Sequence, residues 1–230
     1  MCTDQSHLPV FRLSNPWAFT LYGMPLRCSV PFPLGQVNNP AAELVLIDVD
    51  GGDCKAQWRV LSTWADDSAR FALMDFAEPQ LPPRTSRRYQ LKRKEEEVDA
   101  GNSQTAITLS DTQDALTIDT GRLAWTFSKK RFSLGMSLHF NGRDWLQGQA
   151  SDLYILNMQG SQFRASEGDY RISLEERGEH RVIVRVDGNH GRGAERCMDY
   201  TLRFHFTAGG SQVLMLHHLR NRHGGREGRR

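Results

Sequence analysis

Arg203 and His205 stand two residues apart in Tyr200-Thr201-Leu202-Arg203-Phe204-His205-Phe206, so in an extended chain both project to the same side. A guanidinium beside an imidazole on one polar strand face can bind an anionic sugar, the arginine through two parallel hydrogen bonds to a carboxylate. Their ordinary alternative is a solvated sheet surface, and His139 with Arg143 is read the same way. Trp58 and Trp64, with Arg70, offer a second grouping, because an aromatic face presents apolar area to the C–H face of a pyranose while arginine holds its acid group; Trp58 and Arg70 are kept as its site residues. Trp64 is read as core, with Asp66 and Ser68 holding a tight turn.

Other polar groups carry less. His217 and His218 are adjacent on a strand, point to opposite faces and cannot share one ion, and one of them is expected to face the core. His190 sits in Asp187-Gly188-Asn189-His190-Gly191-Arg192-Gly193, read as a flexible hairpin loop that lacks the strand-to-helix setting of a nucleotide phosphate site. Asp48, Asp50 and Asp53 lie beside glycines but miss the spacing and final glutamate of a calcium loop, so an acidic turn is expected. The cysteines Cys2, Cys28, Cys54 and Cys197 form no Cys-x-x-Cys pair, which argues against zinc and dithiol chemistry. Reduced thiols are expected, with a Cys28 to Cys54 bridge only in an exported protein. No catalytic residue, metal or cofactor is assigned.

The elements that must position these groups read as strands. Ala42 to Val49 is a near-continuous apolar run closed by Asp50-Gly51-Gly52-Asp53 and reads as a buried strand entering a turn. Val182, Val184 and Val186 alternate with Arg181, Ile183 and Arg185, and the run is expected to end at Asp187-Gly188. Leu202, Phe204 and Phe206 alternate in the same way before Gly209-Gly210, with a further apolar run from Val213 to Leu216. Trp125, Phe127, Phe132, Leu134, Met136, Leu138 and Phe140 are expected to fill a sandwich core, and Asn141-Gly142 to turn a hairpin. Helix signals are poor; Leu91 to Val98 is charged between its apolar ends and reads as strand end plus linker.

Several spaced motifs carry a resemblance. Gly23-Met24-Pro25, Val30-Pro31-Phe32-Pro33-Leu34-Gly35, Asp50-Gly51, Gln57 to Leu61 and Trp64-Ala65-Asp66-Asp67-Ser68-Ala69-Arg70-Phe71 resemble, over roughly residues 9 to 95, the N-terminal domain of the exo-rhamnogalacturonan lyase-like family. Ile118-Asp119-Thr120-Gly121-Arg122-Leu123 and Tyr200 to Phe206 resemble strands of that family's central β-sandwich. The resemblance implies an all-β chain with an N-terminal β-barrel-like domain at 9–98 and an antiparallel β-sandwich at 111–221 that the chain need not complete; the polar, glycine-containing composition around Ala100 to Gln104 places a linker at 99–110, and the apolar-poor Gly/Arg end reads as a disordered basic tail at 222–230. It also implies that the helical region associated with the catalytic cleft has no counterpart here. β-Elimination at a uronate needs a cation on the carboxylate beside a tuned base. No such constellation is discernible.

Two functions are therefore carried: the non-catalytic, β-rich portion of a lyase-like protein that binds a pectic oligosaccharide or supports a helical catalytic domain, and a stand-alone glycan- or protein-binding β module. The net charge of +2 argues against nucleic acid as partner, and no apolar run approaches the ~20 residues that span a bilayer. The basic residues Arg84 to Lys94 abut Glu95-Glu96-Glu97 and read as a solvated strand end. Met1 to His7 lacks the features of a secretory signal, so a cytoplasmic location is expected as written, and an extracellular one if the true start differs. An exposed last strand is expected to promote self-association.

Overall fold

The computed structural model describes residues 8–94, 106–147 and 151–221. The expected basic tail and residues 99–105 of the expected linker lie outside them. The chain divides into two units, 1–104 and 105–230.

Unit 1 contains strands β1 (Val10–Ser14), β2 (Leu21–Pro31), a one-turn helix α1 (Pro40–Glu43), β3 (Leu44–Asp48), β4 (Gly52–Cys54), β5 (Gln57–Thr63), β6 (Ala69–Leu81) and β7 (Ser86–Arg93). Two antiparallel sheets, in the orders β1-β7-β3-β4 and β2-β6-β5, wrap one apolar core in a barrel-like arrangement. Its buried members come from both sheets, including Val30, Leu44, Leu46, Met74, Phe76 and Leu91. β2 is an edge strand, where Pro25 and Pro31, which lack a backbone donor, are tolerated. Asn39 caps the single helical turn by accepting from the Ala42 amide, and Pro40 stands where no donor is needed. The turn after β5 is closed by Trp64 N donating to Ser68 O at 2.8 Å, with Asp67 at φ 64° and Asp66 Oδ1 accepting from the Ser68 amide and hydroxyl.

Unit 2 contains β8 (Thr108–Asp111), β9 (Ala115–Asp119), β10 (Leu123–Ser128), β11 (Ser137–Phe140), β12 (Arg143–Asp144), β13 (Tyr154–Leu156), β14 (Gln162–Arg164), β15 (Tyr170–Glu176), β16 (Arg181–Arg192), β17 (Glu195–Thr207) and β18 (Leu214–Asn221). They form an antiparallel sandwich. One sheet has the order β12-β11-β10-β9-β8; the other runs β13-β14-β16-β17-β18, with β15 also paired to β16. Phe127 packs edge-on against Phe204 and Phe206, so the two inner faces meet through aromatic rings. The Asn141-Gly142 hairpin is present, with φ 52° and 72°, the left-handed pair that a two-residue turn requires. Asp144 then accepts amide hydrogen bonds from Leu138, Leu146 and Gln147, which hold its carboxyl at about 2.

Several expectations need correction. Asp187 to Arg192 is not a loop: β16 continues to Arg192, and His190 is 1% exposed. Its glycines serve close approach within a strand. A Cβ on Gly188 would lie 2.4 Å from Tyr200 Oη and 2.8 Å from Asp169 O. Neither His217 nor His218 is buried, since all eight residues of edge strand β18 are exposed. Met136 is exposed rather than core, whereas Ile183, expected on the polar face, is buried. Trp64 is half-buried and outside the core cluster.

Candidate functional site

The alternation of β17 decides which side chains meet. Tyr200, Leu202, Phe204 and Phe206 are buried, which sends Asp199, Thr201, Arg203 and His205 to the outer face. Tyr170, Ile172 and Leu174 of β15 pack on the core, which sends Arg171, Ser173 and Glu175 outward beside them. The register aligns Arg171, Asp187, Thr201 and His218 in one row across β15 to β18, and Ser173, Arg185, Arg203 and Leu216 in the next. Asn189, Asp199 and Arg220 make a third.

A depression of about 520 Å³ opens among Arg171, Arg185, Asp187, Asp199, His218 and Arg220, with Tyr200 and Gly188 also in its lining. Its charges are unevenly used. Arg185 donates from both Nε and Nη2 to Asp187, at 2.7 and 2.9 Å, and Thr201 Oγ1 donates to the same carboxylate at 2.7 Å. Burial pushes the Asp187 carboxyl up, but these hydrogen bonds outweigh it and leave it below the usual range. Asp169 lies 3.5 Å from Arg196. Among the described residues, Arg171, Arg220 and His218 have no hydrogen-bond or ion-pair partner, although the three arginines of the lining are matched in number by Asp169, Asp187 and Asp199, so what the depression offers is unengaged guanidinium groups and not a net positive charge. Tyr200 Oη is buried without a partner among the described residues, and burial pushes its phenol up, which keeps it protonated.

The residues expected to bind sugar are placed as follows. Arg203 lies on the outer face, where its Nε donates to Glu175 at 2.7 Å. His205 is in the next row, with Nδ1 2.9 Å from Arg181 Nη2. They share a face with the depression but are not in its lining. In unit 1, Trp58 is half-buried against the core and tilted on Phe32 at 6.2 Å between centroids. Arg70 sits 4.6 Å above the Trp64 ring, whose Nε1 donates to Phe32 O at 3.0 Å. The structure does not bring Trp58 and Arg70 into one contact.

Sequence reasoning missed Arg171, Arg185 and Arg220 as one group; the odd-numbered alternation of β15 and β16 carried the signal for the first two, whereas Arg220 is brought in by the pairing of β18 with β17. It also missed a buried polar group in unit 1. Glu78 is fully buried, Tyr89 donates to it, and Arg87 lies 2.9 Å from buried Asp48 and 3.6 Å from Glu78. Arg93 pairs with Glu43. Two members of the basic run before Glu95, Arg87 and Arg93, thus find counter-charges elsewhere in their own unit; Glu95 to Glu97 lie outside the described residues. Cys28, Cys54 and Cys197 are free thiols. Burial pushes Cys28 and Cys54 up, away from the thiolate.

Residues 107–224, which include the whole of this face, match the family model of the PcRGLX-like protein central beta sandwich domain. The chain belongs to the rhamnogalacturonan lyase-like family. The matched span includes both motifs that carried the resemblance, Ile118 to Leu123 and Tyr200 to Phe206. No curated protein matches the chain. Among solved structures it is similar to an alpha-mannosidase from Enterococcus faecalis, with 9% identity and a TM-score of 0.49 over 90% of this chain and 29% of that one. The chain therefore spans less than a third of that protein's length.

Proposed function

We propose that this chain is a non-catalytic, β-rich portion of a carbohydrate-active protein, and that the outer face of β15 to β18 binds an acidic oligosaccharide of the pectic type. The observation that carries the reading is the depression in which Arg171 and Arg220 remain without a partner while Arg185 is held by Asp187. Guanidinium groups free of internal partners can meet a uronate carboxylate bidentately. Thr201 and Asp199 add the polar groups that a hydrated sugar needs when its own water is displaced. Two bases are set aside by their surroundings: Tyr200 is held protonated, and His190 is buried with Nδ1 3.3 Å from Met198 O. His218 is the imidazole that shares the lining with Arg171 and Arg220, so the absence of elimination is a matter for the activity test below. A shallow face buries little of a hydrated ligand, so millimolar affinity is expected, roughly −4 kcal/mol.

The test is titration of the purified chain with rhamnogalacturonan oligosaccharides, followed both by binding and by ultraviolet absorbance. Saturable binding with no new unsaturated uronate supports the reading. Sustained formation of that chromophore, lost on changing Arg171, His218 or Arg220 of the depression, or Arg203 or His205 beside it, with the fold intact, overturns it. A second reading, a protein-binding β module, is favoured by β18, an edge strand with every residue exposed. Its test is the association of the chain with itself, taken up below.

A further inference from the structure

Unit 1 carries two aromatic rings that neither of its sheets covers. Trp17 and Phe19 are 58% and 59% exposed, and their rings stack with centroids 6.1 Å apart at 18° between planes. Neither belongs to the apolar core. They lie on the connection between β1 and β2, and that connection is built around one buried side chain. Asn15 is 1% exposed. Its Nδ2 donates to Phe19 O, Leu81 O and Pro82 O at 2.9, 3.1 and 2.9 Å, and its Oδ1 accepts from the Trp17 amide at 3.0 Å. The Arg84 amide donates to Trp17 O at 3.2 Å, and the Asn15 amide to Thr85 O at 2.8 Å. The backbone on both sides of the ring pair is thus fixed from the interior.

A loop held this firmly does not display two large rings by slackness. Exposed aromatic area on a rigid support is the usual form of a binding anchor, because the ordering cost is met before the ligand arrives. The area selects the ligand. A fully covered aromatic side chain buries ~150–250 Å², so at these exposures the pair offers on the order of 250 Å². A stable protein interface needs about 800 Å² per partner. The pair suits a compact ligand with a flat apolar side, and a pyranose stacks its C–H face on such rings while its hydroxyls stay in water.

We propose that Trp17 and Phe19 form a carbohydrate-binding platform that recognises pyranose units by their C–H faces, without a carboxylate. It goes beyond the proposed site in unit 2 in both place and ligand chemistry, so the two stand or fall separately.

The experiment is a titration of the whole chain with the neutral oligosaccharides cellotetraose and galactotetraose, read on the indole N–H resonances of its tryptophans by NMR. The Trp17 resonance, assigned by its loss in Trp17→Ala, is expected to shift saturably while the other indoles stay in place. Phe19→Ala is expected to weaken binding about tenfold or more, and the double variant Arg171→Ala with Arg220→Ala to leave it unchanged. Phe19→Ala keeps Trp17 as the reporter and leaves the Asn15 bonds, all to backbone, intact, so it serves even if Trp17→Ala fails to fold. No Trp17 shift at tens of millimolar of either sugar overturns the proposal, as do equal shifts of all the indoles. A Trp17 shift that follows protein concentration instead of sugar also overturns it, by assigning the rings to a contact between chains.

Discussion

Asp187 takes both guanidinium hydrogen bonds of Arg185, two residues away on the same strand face, at 2.7 and 2.9 Å. That pairing is what makes the outer face of β15 to β18 selective among its own arginines. Arg185 is internally satisfied, whereas Arg171 in the neighbouring row position and Arg220 on β18 are not. Asp187→Asn should therefore loosen Arg185, leaving it only the longer contact to Glu175 at 3.9 Å and making it more available to a ligand. The expected result is tighter binding of acidic oligosaccharide at low salt, with little change in melting temperature because the pair is partly exposed and screened. Titration calorimetry at two salt concentrations checks it.

His190 gives unit 2 a pH dependence of known sign. Burial pushes its imidazole below the usual value, only partly opposed by the hydrogen bond with Met198 O, and neighbouring His217 acts in the same direction. The folded state then binds fewer protons than the unfolded state. The contribution is complete above about pH 6.5 and is lost as pH falls through the depressed folded value. Asp187 also has a lowered value, but its share is lost only below about pH 4, and that of Asp144 on the way down to about 2. His190→Phe should reduce the fall of the urea midpoint as pH drops below about 6.5, leaving the smaller slope that His217 contributes because its imidazole is lowered too, and leaving the fall at lower pH, a difference that denaturation curves across this range measure.

Gly188→Ala should destabilise unit 2 by ~1–3 kcal/mol, the usual cost of forcing extra volume into a packed site. The new Cβ would meet Tyr200 Oη at 2.4 Å, and that ring cannot swing freely because it is wedged against Phe132 and His190 at 5.5 and 5.1 Å between centroids. Chemical denaturation checks it; an unchanged midpoint would mean that Tyr200 moves aside.

The same glycine explains where the sequence was and was not legible. Period-two alternation located β16, β17 and β18 and the all-β class, because each strand buries one face and the pattern is local. Asp187-Gly188-Asn189 was misread as a turn because glycine signals both tight turns and close backbone approach, and only the partner Tyr200 distinguishes them. Burial of His190 depends likewise on rings contributed from β17. Arg203 and His205 were legible as an outward pair, yet their taking up by Glu175 and Arg181 was not, since those partners lie 28 and 24 residues away in sequence. Trp17 and Phe19 passed unnoticed because their display depends on Asn15 reaching Leu81 and Pro82, which no local pattern encodes.

Strand β18 should recruit another strand, because among the described residues no strand pairs with its outer edge and Leu214, Met215, Leu216 and Leu219 are exposed along it. Light scattering after size-exclusion chromatography is expected to give a mass that rises with concentration, and Leu216→Lys to suppress the rise. A monomer at every concentration would count against the protein-binding reading.

The central claim is that acidic sugar binds through Arg171 and Arg220. Its most direct measurement is titration of wild type and the Arg171→Glu, Arg220→Glu double variant with a rhamnogalacturonan oligosaccharide and with its carboxyl-reduced, neutral form. Millimolar binding of the acidic form by wild type, weakened about tenfold or more both by the double variant and by carboxyl reduction, is the predicted result. Equal binding of the acidic and neutral forms, or an undiminished affinity in a folded double variant, would contradict it.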